Sequence, residues 1–173
     1  YEFKHGLDDY LRESGAPVRS LAALMDWNER HRSTVMPLFG QEIFEKAQAK
    51  GPLTEPAYLQ AKESARRLAG EAGLLATLDA ARLDMIIAPS TSPAWIIDPV
   101  LGDHFLGAGY GMAAVAGTPS LTVPMGEVSG LPVGLTFMAR AYMEADLLAW
   151  GYAFEQASRS RRAPNYRSTV PLK

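Results

Sequence analysis

The sequence predicts an α/β fold, a partial mixed sheet covered by helices in layers. Three observations predict it. Through the first half, apolar residues recur at three- and four-residue steps, the period of an amphipathic helix. From Asp84 onward that period gives way to three short apolar runs bounded by Pro or Gly, the pattern of buried strands. Between and after those runs lie a small-residue segment and a further amphipathic stretch, both suited to helices packed on a sheet. No internal repeat or low-complexity linker divides the 173 residues, so a single domain over 1–173 is expected.

The elements follow in order. Phe3, Leu7, Tyr10 and Leu11 give residues 4–13 a helical period, and Gly15-Ala16-Pro17 stops it. Ser20 is placed to cap a second helix reaching about Arg32, with Leu21, Leu24, Met25 and Trp27 apolar. Met36-Pro37 is a break. Residues 41–50 read as a short amphipathic helix ended by Gly51-Pro52. Thr54 opens a longer helix with Pro56 in its first turn. Its apolar stripe is Tyr58, Ala61, Ala65, Leu68, Ala69 and Ala72, and Gly73 is a point of interruption before helix resumes toward Ala81. Lys62, Glu63, Arg66 and Arg67 form its solvated face.

The run 85–88, ended by Pro89, reads as a strand buried on both faces. Residues 120–124 and 133–139 are the second and third strands, joined by a hairpin turn over 126–132. The small-residue helix spans 109–117. Residues 144–158 close the pattern as an amphipathic helix with Leu147, Leu148, Tyr152 and Phe154. The tail 159–173 has no period and is expected to lie along the surface or fray.

Composition narrows the chemistry. A net charge of -2 gives no reason to expect nucleic acid or an anionic membrane as a partner. The absence of Cys excludes disulfides, thiolate zinc sites and cysteine nucleophiles. No apolar run approaches the roughly 18 residues needed to span a membrane. The N-terminus shows no signal-peptide pattern, and a cytoplasmic location is the default expectation. The chain begins at Tyr1 and not at Met, which suggests a start within a longer protein.

The titratable groups make no self-contained catalytic set. His5 and His31 sit in charged helical segments and read as surface residues. His104 lies in the polar loop Gly102-Asp103-His104-Phe105, where Asp103 could orient it or could cap the small-residue helix. No Gly-x-Ser-x-Gly elbow supplies a nucleophile. The histidines lack metal-ligand spacing. Residues 107–112 do not follow the strand–turn–helix order of a dinucleotide loop. Pro89-Ser90-Thr91-Ser92-Pro93-Ala94 gathers hydroxyls where a buried strand ends. Such an edge suits a ligand, and it equally suits a rigid turn that satisfies its own backbone. Trp95 beyond it reads as core or pocket wall.

At these residues the chain resembles the C-terminal part of an amidase signature family hydrolase. The matching features begin with Tyr1-Glu2-Phe3-Lys4, Val18-Arg19-Ser20-Leu21 and Phe39-Gly40-Gln41-Glu42. They continue with Asp84 through Ser92, Gly102-Asp103-His104-Phe105, Ala113-Ala114-Val115-Ala116-Gly117 and Thr122-Val123-Pro124. Gly130-Leu131-Pro132-Val133-Gly134 and Ala153-Phe154-Glu155-Gln156 complete the series.

The resemblance implies a layered amidase signature-type fold. It implies hydrolysis of a carboxamide by a Ser–cis-Ser–Lys triad through an acyl-enzyme, without metal or other cofactor. This chain has no Gly-Gly-Ser-Ser-Gly-like run, and in the family that signature lies upstream of the matched region. No residue here is therefore assigned a triad role, and the isolated chain is expected to be inactive. Ser90, Thr91, Trp95, Asp103, His104 and Tyr110 are the expected substrate-pocket residues. Two departures hold substrate preference open. Thr118 stands where the family often carries an aromatic residue, and residues 106–112 are glycine-rich where relatives usually have serines. The partner implied is a small-molecule amide, with self-association through exposed strand edges and apolar faces. The alternative is a non-catalytic binding or scaffold module that keeps the amidase fold.

Overall fold

The computed structural model describes residues 1–164 and 166. Part of the tail whose course was left open above therefore lies outside the described residues. The chain divides into two compact units, Tyr1–Lys62 and Glu63–Lys173.

The first unit is helical. It holds α1 (Glu2–Glu13), α2 (Leu21–Arg30), α3 (Arg32–Val35), α4 (Glu42–Gln48) and the start of α5 (Pro56–Ala69). Ser20 caps α2 as its sequence position predicts, its hydroxyl accepting from the Ala23 N–H at 3.1 Å. The Asp8 carboxylate accepts a second orphan N–H, that of Leu21, at 2.7 Å, and so ties α1 to the start of α2. Lys4 donates to the carbonyls of Gln48 and Lys50 at 3.2 and 3.0 Å, satisfying acceptors at the end of α4. Leu11, Leu21 and Tyr58 are buried. The Tyr58 hydroxyl donates to Glu2 at 2.5 Å and accepts from Lys62 at 3.2 Å.

The apolar stripe expected along α5 is a core face only at its start. Tyr58 is buried, whereas Ala61, Ala65 and Leu68 are exposed. Helical spacing fixes which residues share a side, but burial requires a partner for that side.

The second unit carries the sheet. The end of α5 runs into a π-helical turn, Gly70–Leu75, and then α6 (Ala76–Ala80). The interruption expected at Gly73 is thus a change of helical pitch, and helix continues through it. A Cβ at Gly73 would lie 2.3 Å from the Leu68 carbonyl oxygen, so the wide turn needs glycine there. After it come β1 (Ile86–Pro89), α7 (Gly111–Ala116), β2 (Ser120–Val128), β3 (Leu131–Met138) and α8 (Glu144–Ser158). Gly117, at φ 74, takes the left-handed conformation that ends α7.

The strand order is β1-β3-β2, and both pairings are antiparallel where the sequence suggests a mixed sheet. The hairpin is tighter than 126–132. Val128 pairs with Leu131, leaving Ser129 and Gly130 as a two-residue turn, with φ of 52 and 77. Both positive values belong to the turn whose twist matches the flanking strands. A bulge between Pro124 and Gly126 absorbs the register shift in β2.

Helices cover both faces of β3. Leu135 and Phe137 pack with Val123 and with Leu147 of α8. Met138 packs with Leu74, Leu78 and Ala113 on the opposite side. The continuous burial expected of β1 is found in β3, where residues 135–138 are all buried. Burial in β1 alternates, and Ile87 is 52% exposed. The reason is position: β1 is one of the sheet's two edge strands, and α8 packs on the other, β2, and on β3.

Candidate functional site

The site grows from the C-terminal end of β1. Ser90 follows the strand, and its N–H donates to the Gly134 carbonyl at 2.7 Å. Its hydroxyl meets the Thr136 hydroxyl at 2.8 Å and donates to that of Thr122 at 3.3 Å. Thr122 and Thr136 are 2.9 Å apart. The three hydroxyls thus form one small network across all three strands. Ser90 is 8% exposed and Thr136 fully buried. Gly134 leaves the room for this network, since a Cβ there would lie 2.7 Å from the Ser90 hydroxyl oxygen. Ser90 therefore uses its hydroxyl to hold the sheet end together.

The next residues form a wall. Thr91 bridges to Ala108, and its hydroxyl donates to the Gly107 carbonyl at 3.2 Å. The Gly109 N–H donates to the carbonyls of Ser90 and Pro89 at 3.0 and 3.2 Å. A Cβ on Gly109 would sit 2.4 Å from the Pro89 oxygen, so only glycine permits this approach. Loop 107–109 is held against the strand end in this way. Between that loop, the 91–93 segment and the β2–β3 hairpin lies a cleft of about 510 Å³. A second hollow of about 420 Å³ lies between the hairpin turn and residues 160–164 with Tyr166, and it shares no lining residue with the first.

Of the six expected pocket residues, Thr91 lines the first cleft. Ser90 stands beneath it in the hydroxyl network. Trp95 is 37% exposed, donates its indole N–H to Asp103 at 3.1 Å, and has its ring centroid 6.3 Å from that of Phe105. Asp103 is thus engaged by Trp95. It neither caps α7, whose N-cap is Tyr110 without a side-chain bond, nor hydrogen-bonds His104. Such capping would need Asp103 next to the first helical residue, and α7 begins only at Gly111. His104 and Tyr110 are exposed. Asp98 organises the same loop, its carboxylate accepting from the N–H groups of Val100 and Leu101 at 2.8 and 2.9 Å. Those bonds, Leu101's first, hold its pKa below the ordinary value, with a smaller contribution from His104.

Sequence reasoning missed the apolar half of the wall: Leu106, Met125, Val128 and Val133. Ser92, part of the hydroxyl-rich 89–94 segment but not among the six named pocket residues, lines the same cleft, and its hydroxyl is buried without a partner among the described residues. The apolar alternation of the two hairpin strands was a signal for the former, but it says nothing of which face borders a cleft.

A three-layered sheet unit with a cleft at a strand end is the class that fold and site define. No family model matches the chain. Among solved structures, a peptide amidase in complex with the competitive inhibitor chymostatin is 50% identical, with a TM-score of 0.89 over 96% of this chain and 34% of that one. The native peptide amidase from Stenotrophomonas maltophilia is 48% identical, with a TM-score of 0.85 over 97% of this chain and 34% of that one. A Schizosaccharomyces pombe protein classed as an amidase is 27% identical over 98% of this chain and 30% of its own length. The chain has the fold of the amidase signature enzymes, and its homologues are amidases and glutamyl-tRNA(Gln) amidotransferase A subunits. It spans about a third of the length of these relatives. Among the described residues no helix is long and apolar enough to cross a membrane.

Proposed function

We propose that residues 1–173 form the C-terminal, substrate-pocket part of a single amidase signature domain. The whole enzyme hydrolyses the carbon–nitrogen bond of a small carboxamide, not a backbone peptide bond, through an acyl-enzyme. Its Ser–cis-Ser–Lys triad lies upstream of Tyr1. Ser90, Thr91, Trp95, Asp103, His104 and Tyr110 belong to the pocket side, Ser90 by bracing the strand end and Thr91 by lining the cleft. The reading carries a cytoplasmic role on small molecules, without nucleic acid or membrane. The observation that carries it is the 50% identity to a peptide amidase over nearly the whole chain.

The acyl-enzyme route divides the work between the two parts. A neutral lysine takes the proton of the nucleophile, so its pKa must be lowered by its surroundings. Backbone N–H groups stabilise the oxyanion. This chain contributes shape: a rigid strand end, a wall and a cleft that orient the amide.

The test compares two proteins. The parent protein is expected to release ammonia from simple carboxamides, and the isolated 173-residue chain is expected to release none. Turnover by the isolated chain, abolished by His104→Ala, would sink the upstream assignment. An inactive parent whose upstream sequence lacks the lysine and the Gly/Ser-rich signature would favour the scaffold module.

A further inference from the structure

Ser90 is a joint where four parts of the second unit meet. Its N–H donates to the Gly134 carbonyl of β3 at 2.7 Å, and its own carbonyl accepts from the Gly109 N–H at 3.0 Å. Its hydroxyl reaches Thr122 of β2 and Thr136 of β3. The chain then passes directly into residues 91–93 of the cleft wall. Every polar atom of Ser90 is engaged, and each bond fixes one element against another. The three hydroxyls also close a ring. With Ser90 donating to Thr122, Thr122 can donate to Thr136 and Thr136 to Ser90, so each gives one proton and takes one. The ring spends its protons internally, which suits neither a nucleophile nor a proton relay. Thr136 is fully buried and Ser90 8% exposed, so these bonds sit at low local dielectric, where they strengthen one another. A Cβ on Gly134 would lie 2.7 Å from both the Ser90 Oγ and the Thr122 Cγ2, so the ring fits only beside glycine.

We infer that Ser90, Thr122 and Thr136 are positioning residues for the amidase reaction. The ring sets the height of residues 91–93 and of loop 107–109 over the sheet, and through them the alignment of the bound amide with the upstream nucleophile. The three residues act through the backbone they hold and need not touch the substrate. Loss of one hydroxyl leaves the wall side chains in place, so binding survives while alignment is lost. The inference rests on the amidase reading.

The test uses the full-length enzyme with N-acetylalaninamide and benzamide as substrates. Active sites are counted by covalent labelling of the nucleophile with a fluorophosphonate. Ser90→Ala deletes one member of the ring and leaves both backbone bonds of Ser90 in place. Its kcat per labelled site is expected to fall about 10- to 100-fold, with KM changed less, the cost of misplacing a substrate by about 1 Å. Thr136→Ser keeps the third hydroxyl and is expected to retain kcat. Gly134→Ala is an independent arm, since it forces the ring apart with every hydroxyl present, and it should share the defect of Ser90→Ala. Ser90→Ala suffices should Gly134→Ala fail to fold. A role in stability alone lowers the unfolding temperature and the labelled fraction but leaves kcat per labelled site unchanged, and that result overturns the positioning role. A raised KM at unchanged kcat overturns it as well, because it marks a binding contact. Either result leaves the amidase reading standing. An enzyme that turns over no carboxamide overturns the amidase reading and the positioning role with it.

Discussion

Thr118 buries its hydroxyl without a partner among the described residues, a few residues before the sheet resumes in β2. A buried hydroxyl with no hydrogen bond is costly, and valine has nearly the same shape. Thr118→Val is therefore expected to raise stability by about 1 kcal/mol, read from the denaturant midpoint. The opposite sign is expected at Thr136, which is fully buried and hydrogen-bonds both Ser90 and Thr122. Thr136→Val leaves two hydroxyls short of a partner and should cost about 1–3 kcal/mol in the same measurement. The sequence shows Ser90 as a hydroxyl at a strand end. It does not show the partners, because Thr122 and Thr136 are 32 and 46 residues away.

Asp98 supplies a pH signal at this scale. Its folded pKa is depressed, so its bonds to the loop persist above the unfolded value and are lost as pH falls through the folded one. The amide proton shifts of Val100 and Leu101 should titrate with a midpoint below the ordinary Asp value of 3.8 in an NMR pH series. A midpoint at or above that value would refute the turn geometry.

Among the elements, helix existence was legible and helix pitch was not. Ser20, Pro56 and Gly117 act where start and stop rules place them. The π turn at Gly70–Leu75 escapes such rules because it depends on how the wide turn packs against α7, where a Cβ on Gly70 would meet that of Ala116 at 3.5 Å. Hairpin geometry was half legible. Gly130 marked the turn, but the two-residue loop came from the pairing of Val128 with Leu131. Gly109 gives the element-scale test. Its close approach to Pro89 leaves no space for a methyl group, so Gly109→Ala must push the loop off the strand end. A loss of about 1–3 kcal/mol in thermal unfolding is expected. A neutral Gly109→Ala would show that the loop does not need that contact.

Over the whole chain the apolar surface is the dominant feature. Ile96, Val100, Leu101 and Leu106 are each 75% exposed or more, and Ile87 and Leu68 are more than half exposed. Exposed apolar side chains in this number suit surface that another chain or segment covers. The isolated chain is expected to self-associate through it, so light scattering should show a mass that rises with concentration. A monomer at high concentration would refute this.

The sequence by itself determined the local order of this protein: where helices start and stop, where strands lie, and the series of motifs shared with the amidase signature enzymes. These follow from period, capping chemistry and turn residues, which act over a few neighbours. The tertiary structure alone decided which strand is central, that the pairings are antiparallel, which hydroxyls brace the sheet and which residues wall the cleft. Each of these depends on contacts between residues far apart in the chain. Ser90 meets Thr136, and loop 107–109 meets the end of β1, only once the sheet has formed.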